Sequence, residues 1–256
     1  MDDAPEPRAF TTTDGTELSY IDEGEGPAVV LLHGLMANSY ANWVEPGVFG
    51  AIVSAGYRAV AVDTRGHGHS AGPEDPEVYR AEVLAGDVAA IVRRLELEPV
   101  SLVGYSYGSV TSAMLAAAGD IKLTSLALCG VAMTSVTPVA SGPEIDALVA
   151  ALAMDDPESL GDEGLTASRK RMAEWNARPH AVASVYAALR ELPPIDLAAI
   201  AVPVVVINSP AEPDDVASQV PGARTVIVKG DHLTAPLDPA FTEAVVTFLK
   251  ETNPLP

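Results

Sequence analysis

The chain has 256 residues, 48% of them hydrophobic, enough for one large domain with a filled core or one domain carrying an insertion. Its formal charge of −20 disfavours nucleic acid and anionic membrane surfaces as partners, and no apolar run approaches the ~18 residues a membrane span needs. The opening MDDAPEPRAF lacks the basic and apolar regions of a secretory signal, and the single Cys129 excludes an intramolecular disulfide, so a reducing, cytoplasmic setting is expected.

In chain order, residues 10–12 and 18–21 flank Asp14-Gly15, a strong turn signal, and predict a hairpin. Continuous apolar runs at 28–32, 57–62, 100–103 and 123–129 predict strands buried on both faces, and runs at 202–207 and 225–228 predict two more. Between them, residues 78–95 place Val83, Leu84, Val88, Ile91, Val92 and Leu95 along one helical stripe. Residues 107–118 are Ala-rich and end at Gly119, a C-cap signal, and residues 241–249 carry a last apolar face. Strand and helix alternate, which predicts an α/β protein with a mostly parallel sheet and helices on both faces. Residues 131–195 break that rhythm. They contain no strand-like run, and 144–154, 165–175 and 181–189 read as short helices, so this segment is expected to be a helical lid inserted into a single domain spanning 1–256.

The sharpest local signal is Gly104-Tyr105-Ser106-Tyr107-Gly108, directly after the 100–103 strand and directly before a helix. A strand-to-helix turn of this kind pushes a serine hydroxyl out of the sheet, and the glycines remove side chains that would collide there. Starting a helix at Ser106 also aims the Tyr107 amide and the helix dipole at a developing oxyanion. A serine needs a base, and the base needs an orienting acid. The only histidine far downstream is His232, in a loop between the last strand and the last helix.

The chain resembles the α/β-hydrolases, in the lid-bearing branch that contains esterases and epoxide hydrolases. Four segments carry the resemblance in the family's order: Leu31-Leu32-His33-Gly34, Asp63-Thr64-Arg65-Gly66-His67-Gly68-His69-Ser70, the Ser106 elbow, and Gly230-Asp231-His232. The resemblance implies an eight-stranded sheet, no cofactor, no metal and an acyl-serine intermediate. It implies Ser106 as nucleophile, His232 as base, and the amides of Leu35 and Tyr107 as the oxyanion hole. Epoxide hydrolases and haloalkane dehalogenases of this branch carry an aspartate at the elbow, so Ser106 argues against both activities.

The expected acid is Glu212, with Asp214 as the alternate and Asp215 behind both. Counting from Pro203 puts Glu212 at the family position, whereas counting back from Pro221-Gly222-Ala223 favours Asp214. His67 and His69 read as a Gly-rich structural turn rather than a metal site, because no further Cys or His completes one. With a lid over Ser106, the substrate pocket is expected to involve Met36, Tyr105, Met172 and Trp175. The expected activity is hydrolysis of a small-molecule carboxylic ester. Lactone, thioester or C–C hydrolysis, perhydrolysis and acyl transfer stand as alternatives on the same triad. A hydrolase-like receptor with little turnover is a further alternative. Nothing in the sequence bears on oligomeric state.

Overall fold

The computed structural model describes residues 5–137, 146, 149–152, 154, 163–213 and 215–255. The Asp14-Gly15 turn closes the expected hairpin, with β1 (Arg8–Thr11) antiparallel to β2 (Glu17–Glu23) and Phe10 opposite Leu18. The chain then lays down β3 (Ala28–Leu32), β4 (Arg58–Val62), β5 (Val100–Tyr105), β6 (Leu123–Cys129), β7 (Val204–Asn208) and β8 (Arg224–Ile227). Together they form one eight-stranded sheet in the order β1-β2-β4-β3-β5-β6-β7-β8. β2 pairs antiparallel with β4, and every pairing from β4 across to β8 is parallel.

The central strands are buried at nearly every position and mostly apolar because both faces are covered. Val30, Leu32, Val60, Val62 and Leu102 point to the side packed by α2 (Ala81–Arg94) and α3 (Tyr107–Ala118). Their neighbours Val29, Leu31, Ala59, Ala61 and Val103 point to the side packed by α1 (Val48–Ser54) and the C-terminal α6 (Pro239–Thr252). Period-two alternation is therefore present, but both faces demand hydrocarbon. The chain runs from β3 to β4 on one side and then crosses back to β5 on the other side of β3. That reversal makes a crevice at the carboxyl ends of β3 and β5, where open α/β sheets hold their ligands.

Two elements depart from the sequence reading. The expected helix over 78–95 is split, because Pro76–Tyr79 forms a separate tight turn and Arg80 is extended before α2 begins at Ala81. The Tyr79 hydroxyl, donating to the Pro73 carbonyl at 2.7 Å, fixes that turn. The short α1 is not signalled by the sequence: seven residues with a central Gly50 show too little periodicity, although Val48, Phe49 and Ile52 are buried. In the region expected to be a lid, α4 spans Glu163–Glu174 and α5 spans Pro179–Ala188. Most of the expected helix at 144–154 lies outside the described residues. Among the described residues, no helix is long and apolar enough to cross a membrane.

A buried cation ties the hairpin to α2. Arg65 grips both carboxylate oxygens of Asp87 at 2.6 and 2.7 Å, and its Nη1 reaches Asp14 at 2.6 Å and the Thr16 hydroxyl at 3.0 Å. Burial pushes the Asp87 carboxyl up, opposed by Arg65, whereas Arg65 and Thr12 hold the half-exposed Asp14 well below the usual carboxylate range. Removing one partner of a buried pair strands the other charge. Arg65→Met should therefore lower the unfolding free energy by about 3–5 kcal/mol in urea denaturation. The double variant Arg65→Met/Asp87→Leu should recover most of that loss.

Candidate active site

β5 runs directly into Gly104-Tyr105-Ser106-Tyr107-Gly108 and on into α3. A Cβ at Gly108 would lie 2.0 Å from the Leu32 carbonyl oxygen, so β3 and the start of α3 meet this closely only through glycine. Ser106 adopts φ 52° and ψ −115°, a conformation costing on the order of 1–3 kcal/mol. The turn is held by the Ser106 amide donating to the Cys129 carbonyl at 2.8 Å. The buried Ser109 hydroxyl lies 2.8 Å from the Gly104 and Cys129 carbonyls and accepts the Cys129 amide at 2.9 Å. Sequence reasoning passed over Ser109, which carries no signal beyond its place in an Ala-rich helix.

His232 sits on the loop after β8. The Asp231 carboxylate folds that loop by accepting the amides of Leu233 and Thr234 and the Thr234 hydroxyl, at 2.8–2.9 Å. The Tyr105 hydroxyl donates to the His232 carbonyl at 2.7 Å, with its ring wedged among Trp43, Phe241 and Gly130. Burial holds the Tyr105 phenol protonated and able to donate. His232 Nε2 lies 3.0 Å from Ser106 Oγ, and His232 Nδ1 lies 2.9 Å from Glu212 Oε1.

Glu212 follows β7, whose last residue Asn208 bridges to Val131 through a pair of side-chain hydrogen bonds at 2.7 and 3.0 Å. Its second oxygen accepts the Ser209 amide and hydroxyl, each at 2.7 Å. Burial pushes the Glu212 carboxyl up, but the bonds from Ser209 and His232 outweigh it and hold the pKa below the ordinary carboxylate value. Asp214 lies outside the described residues. Asp215 is spent elsewhere, accepting the Met133 amide at 2.8 Å.

The serine and histidine border a cavity of about 210 Å³ whose walls include Leu35, Trp175, Leu233 and Leu237. Of the four residues expected in the pocket, Tyr105 and Trp175 line it. Met36 and Met172 do not; Met172 is fully buried in a small apolar cluster, and Met36 packs against that cluster. Leu233 and Leu237, which sequence reasoning missed, stand at the rim and are more than half exposed. No sequence pattern marks them, and they stand out only as large apolar side chains exposed at the rim of the folded cleft. Among the described residues, neither the Leu35 nor the Tyr107 amide is given to a protein acceptor. Gly34 packs against the elbow: a Cβ there would lie 3.3 Å from that of Ser106.

The two buried histidines brace the loops behind the cleft. His33 accepts the Thr64 amide at Nε2 (3.0 Å) and sets Nδ1 2.8 Å from the Gly34 carbonyl. His67 Nδ1 lies 2.9 Å from the Arg65 carbonyl, and its Nε2 is buried without a hydrogen-bond partner. Asp63 accepts the amides of Ser39 and His69 at 2.8 and 3.0 Å.

Residues 27–201 match the α/β hydrolase fold family, and the chain belongs to it. It is 42% identical over 98 residues to a non-heme chloroperoxidase of Kitasatospora aureofaciens, covering 38% of this chain and 34% of that relative. It is 38% identical over 97 residues to an epoxide hydrolase of Caballeronia sordidicola, covering 38% of this chain and 29% of that relative. The matched stretch thus spans about a third of these curated relatives. The solved structure of an esterase from Exiguobacterium antarcticum superposes with a TM-score of 0.80 at 24% identity, over 96% of this chain and 100% of that one, which shows the shared fold.

Burial, with His33 adding to it, lowers the His67 pKa from 6.5 to about 3. Below pH 6.5 the unfolded chain takes up a proton that the folded chain refuses until about pH 3, so this group makes stability fall with acid across that window. Between pH 7 and 5 its share is about 2 kcal/mol. In urea denaturation at the two pH values, His67→Asn should lose less stability than wild type by that amount.

Proposed function

We propose that this protein hydrolyses a small-molecule carboxylic ester through an acyl-serine intermediate. Ser106 is the nucleophile, His232 the general base and Glu212 the orienting acid. The observation that carries the reading is the unbroken relay from Ser106 Oγ through the His232 ring to Glu212, with steps of 3.0 and 2.9 Å, at the wall of a cavity. Ser106 attacks the ester carbonyl as His232 Nε2 takes its proton. The amides of Leu35 and Tyr107, free of protein acceptors, stabilise the tetrahedral oxyanion by several kcal/mol in such sites. His232 then gives the proton to the departing alkoxide and leaves an acyl-serine. It next removes a proton from water, which attacks the acyl carbon, and returns that proton to Ser106 Oγ as the acyl–serine bond breaks and the acid leaves. A carboxyl held below its ordinary pKa keeps Glu212 charged, so it orients the ring and balances the imidazolium at each step.

The cavity supports a small, uncharged substrate. Its walls are largely apolar, and its volume of about 210 Å³ is below the roughly 300–1,000 Å³ of sites for drug-sized ligands. The likeness to an epoxide hydrolase does not carry over to the reaction. A serine that opened an epoxide would be left as an ether, which a base-activated water does not cleave, whereas an acyl-serine is hydrolysed. The likeness to a non-heme chloroperoxidase favours one second reading, in which hydrogen peroxide replaces water as acceptor of the acyl group and a peracid leaves.

A fluorophosphonate should label the wild type quickly and Ser106→Ala not at all, and a p-nitrophenyl ester panel should show turnover only in the wild type. Equal labelling of both proteins would end the assignment. Glu212→Gln should lower turnover on the order of a hundredfold while Asp214→Asn stays near wild type; the reverse pattern would make Asp214 the acid. Adding hydrogen peroxide to the assay and measuring peracid decides the second reading.

We further propose that residues 131–195 act as a lid within one domain and set acyl preference through Trp175. Trp175→Ala should reorder preference among acyl chain lengths with little change in melting temperature. Met172→Ala, in the buried cluster, should instead destabilise by about 2–5 kcal/mol in chemical denaturation.

A further inference from the structure

Gly34-Leu35-Met36-Ala37 forms a turn closed by the Ala37 amide donating to the Gly34 carbonyl at 3.2 Å. Met36, its third residue, has φ 69°, and Leu35 is not in the left-handed region, so the turn follows the type II pattern. That third position favours glycine or asparagine, since a Cβ is disfavoured at positive φ. Here it holds a methionine. The backbone alone gives no reason for that choice, but the side chain does.

Met36 and Leu35 pack against a small apolar cluster of Leu152, Met172, Ala177, Val182 and Ala183, separate from the two cores that flank the sheet. The described members of that cluster come from α4, α5, the turn between them and the stretch before α4. A second tie lies two residues along, where Asn38 Nδ2 donates to the Trp175 carbonyl at 2.8 Å and Asn38 Oδ1 accepts the Ala41 amide at 2.8 Å. The α4–α5 turn is pinned from its far side too. The Arg178 amide donates to the Gly66 carbonyl at 2.7 Å, Arg178 Nη1 to the Ser70 carbonyl at 2.6 Å, and Asn176 to the Gly68 carbonyl. A Cβ at Gly66 would lie 2.1 Å from that of Ala181, so α5 sits directly on that loop. The α4–α5 turn is thus wedged between the 34–38 loop and the 66–70 loop.

We infer that Met36 and Asn38 are positioning residues that clamp the Leu35 turn onto the α4–α5 segment, so that the Leu35 amide is aimed only while that segment is docked. The inference rests on the proposed role of the Leu35 amide. Glycine at position 36 would satisfy the backbone with less strain, but it would remove the plug. A strained residue persists where its surroundings over-determine it, and the plug and the Asn38 bond supply that constraint. The α4–α5 segment thereby sets the geometry of the reacting site as well as one wall of the cavity.

The test compares Met36→Gly, Met36→Leu and Asn38→Ala by amide hydrogen exchange and by ester kinetics. Met36→Gly should keep a melting temperature near wild type, because relief at φ 69° offsets lost packing. Its Gly34 and Ala37 amides, bonded to Asn42 Oδ1 and to the Gly34 carbonyl, should exchange on the order of tenfold faster. Its kcat should fall about tenfold at unchanged KM, as expected when only a transition-state contact is loosened. Met36→Leu, which keeps the plug, should restore both readouts, and Asn38→Ala should move them the same way by a smaller factor. Wild-type exchange in Met36→Gly overturns the clamp, and faster exchange with unchanged kcat overturns its link to the reaction. If the wild type neither turns over esters nor takes a fluorophosphonate, the hydrolase reading falls instead, while the exchange rates still decide the clamp.

Discussion

The structure depends on one tight junction, where the end of β5 turns into α3 at Ser106. Two constraints meet there. The parallel strands are apolar on both faces and must be covered by helices, which forces the chain out of β5 and straight back over the sheet. Gly108 lets the first turn of α3 sit against the Leu32 carbonyl, closer than any side chain would permit. The strain at Ser106 is the consequence of making that turn in so few residues. It is sustained by a sheet that cannot relax, because β5 is paired on both sides and fully buried. The reversal of strand order between β3 and β5 then opens a crevice at that same junction.

The charge arrangement around His232 follows from how each acidic residue is used. Three carboxylates lie close in sequence near the end of β7, and local hydrogen bonds separate the two that are described. Asp215 is committed to the Met133 amide. Glu212 turns one oxygen back to Ser209 and leaves the other for His232, so a single carboxylate both closes its own loop and orients the ring. The chain is strongly acidic overall, yet the site itself spends its negative charge on one buried oxygen pair. Tyr105 completes the arrangement from the opposite side by holding the His232 carbonyl. The residue beside Ser106 therefore fixes the backbone of the histidine loop.

The positions of the strands and the elbow were legible in the sequence because they rest on local signals. Continuous apolar runs need no knowledge of distant partners, and Gly-x-Ser-x-Gly between a strand and a helix is a short-range pattern. His232 was legible by position, and Glu212 by counting from Pro203, with Asp214 left open by the counting alone. What was not legible depends on long-range packing. Met172 and Trp175 stand three residues apart, and only their tertiary neighbours put one in a buried cluster and the other on a cavity wall. Helix α1 was hidden because its burial comes from β4, α6 and the preceding turn rather than from a strong periodicity of its own. The exposed Leu233 and Leu237 carry no pattern at all until the histidine loop is folded.

Two residues depart from ordinary backbone geometry within one small region, Ser106 at φ 52° and Met36 at φ 69°. They differ in what sustains them. Ser106 is held by the sheet, the most cooperative part of the molecule, so its geometry should survive any local opening short of global unfolding. Met36 is held by a five-residue cluster, four of whose members come from the α4–α5 segment, and two residues on by the Asn38 bond to the Trp175 carbonyl. Proteins open in parts, and small clusters open at lower free energy than central strands. Ser106 and the turn facing it are thus anchored to units of unequal stability. Under the clamp inferred above, Ser106 keeps its place through local openings while the turn facing it follows the state of the helical segment.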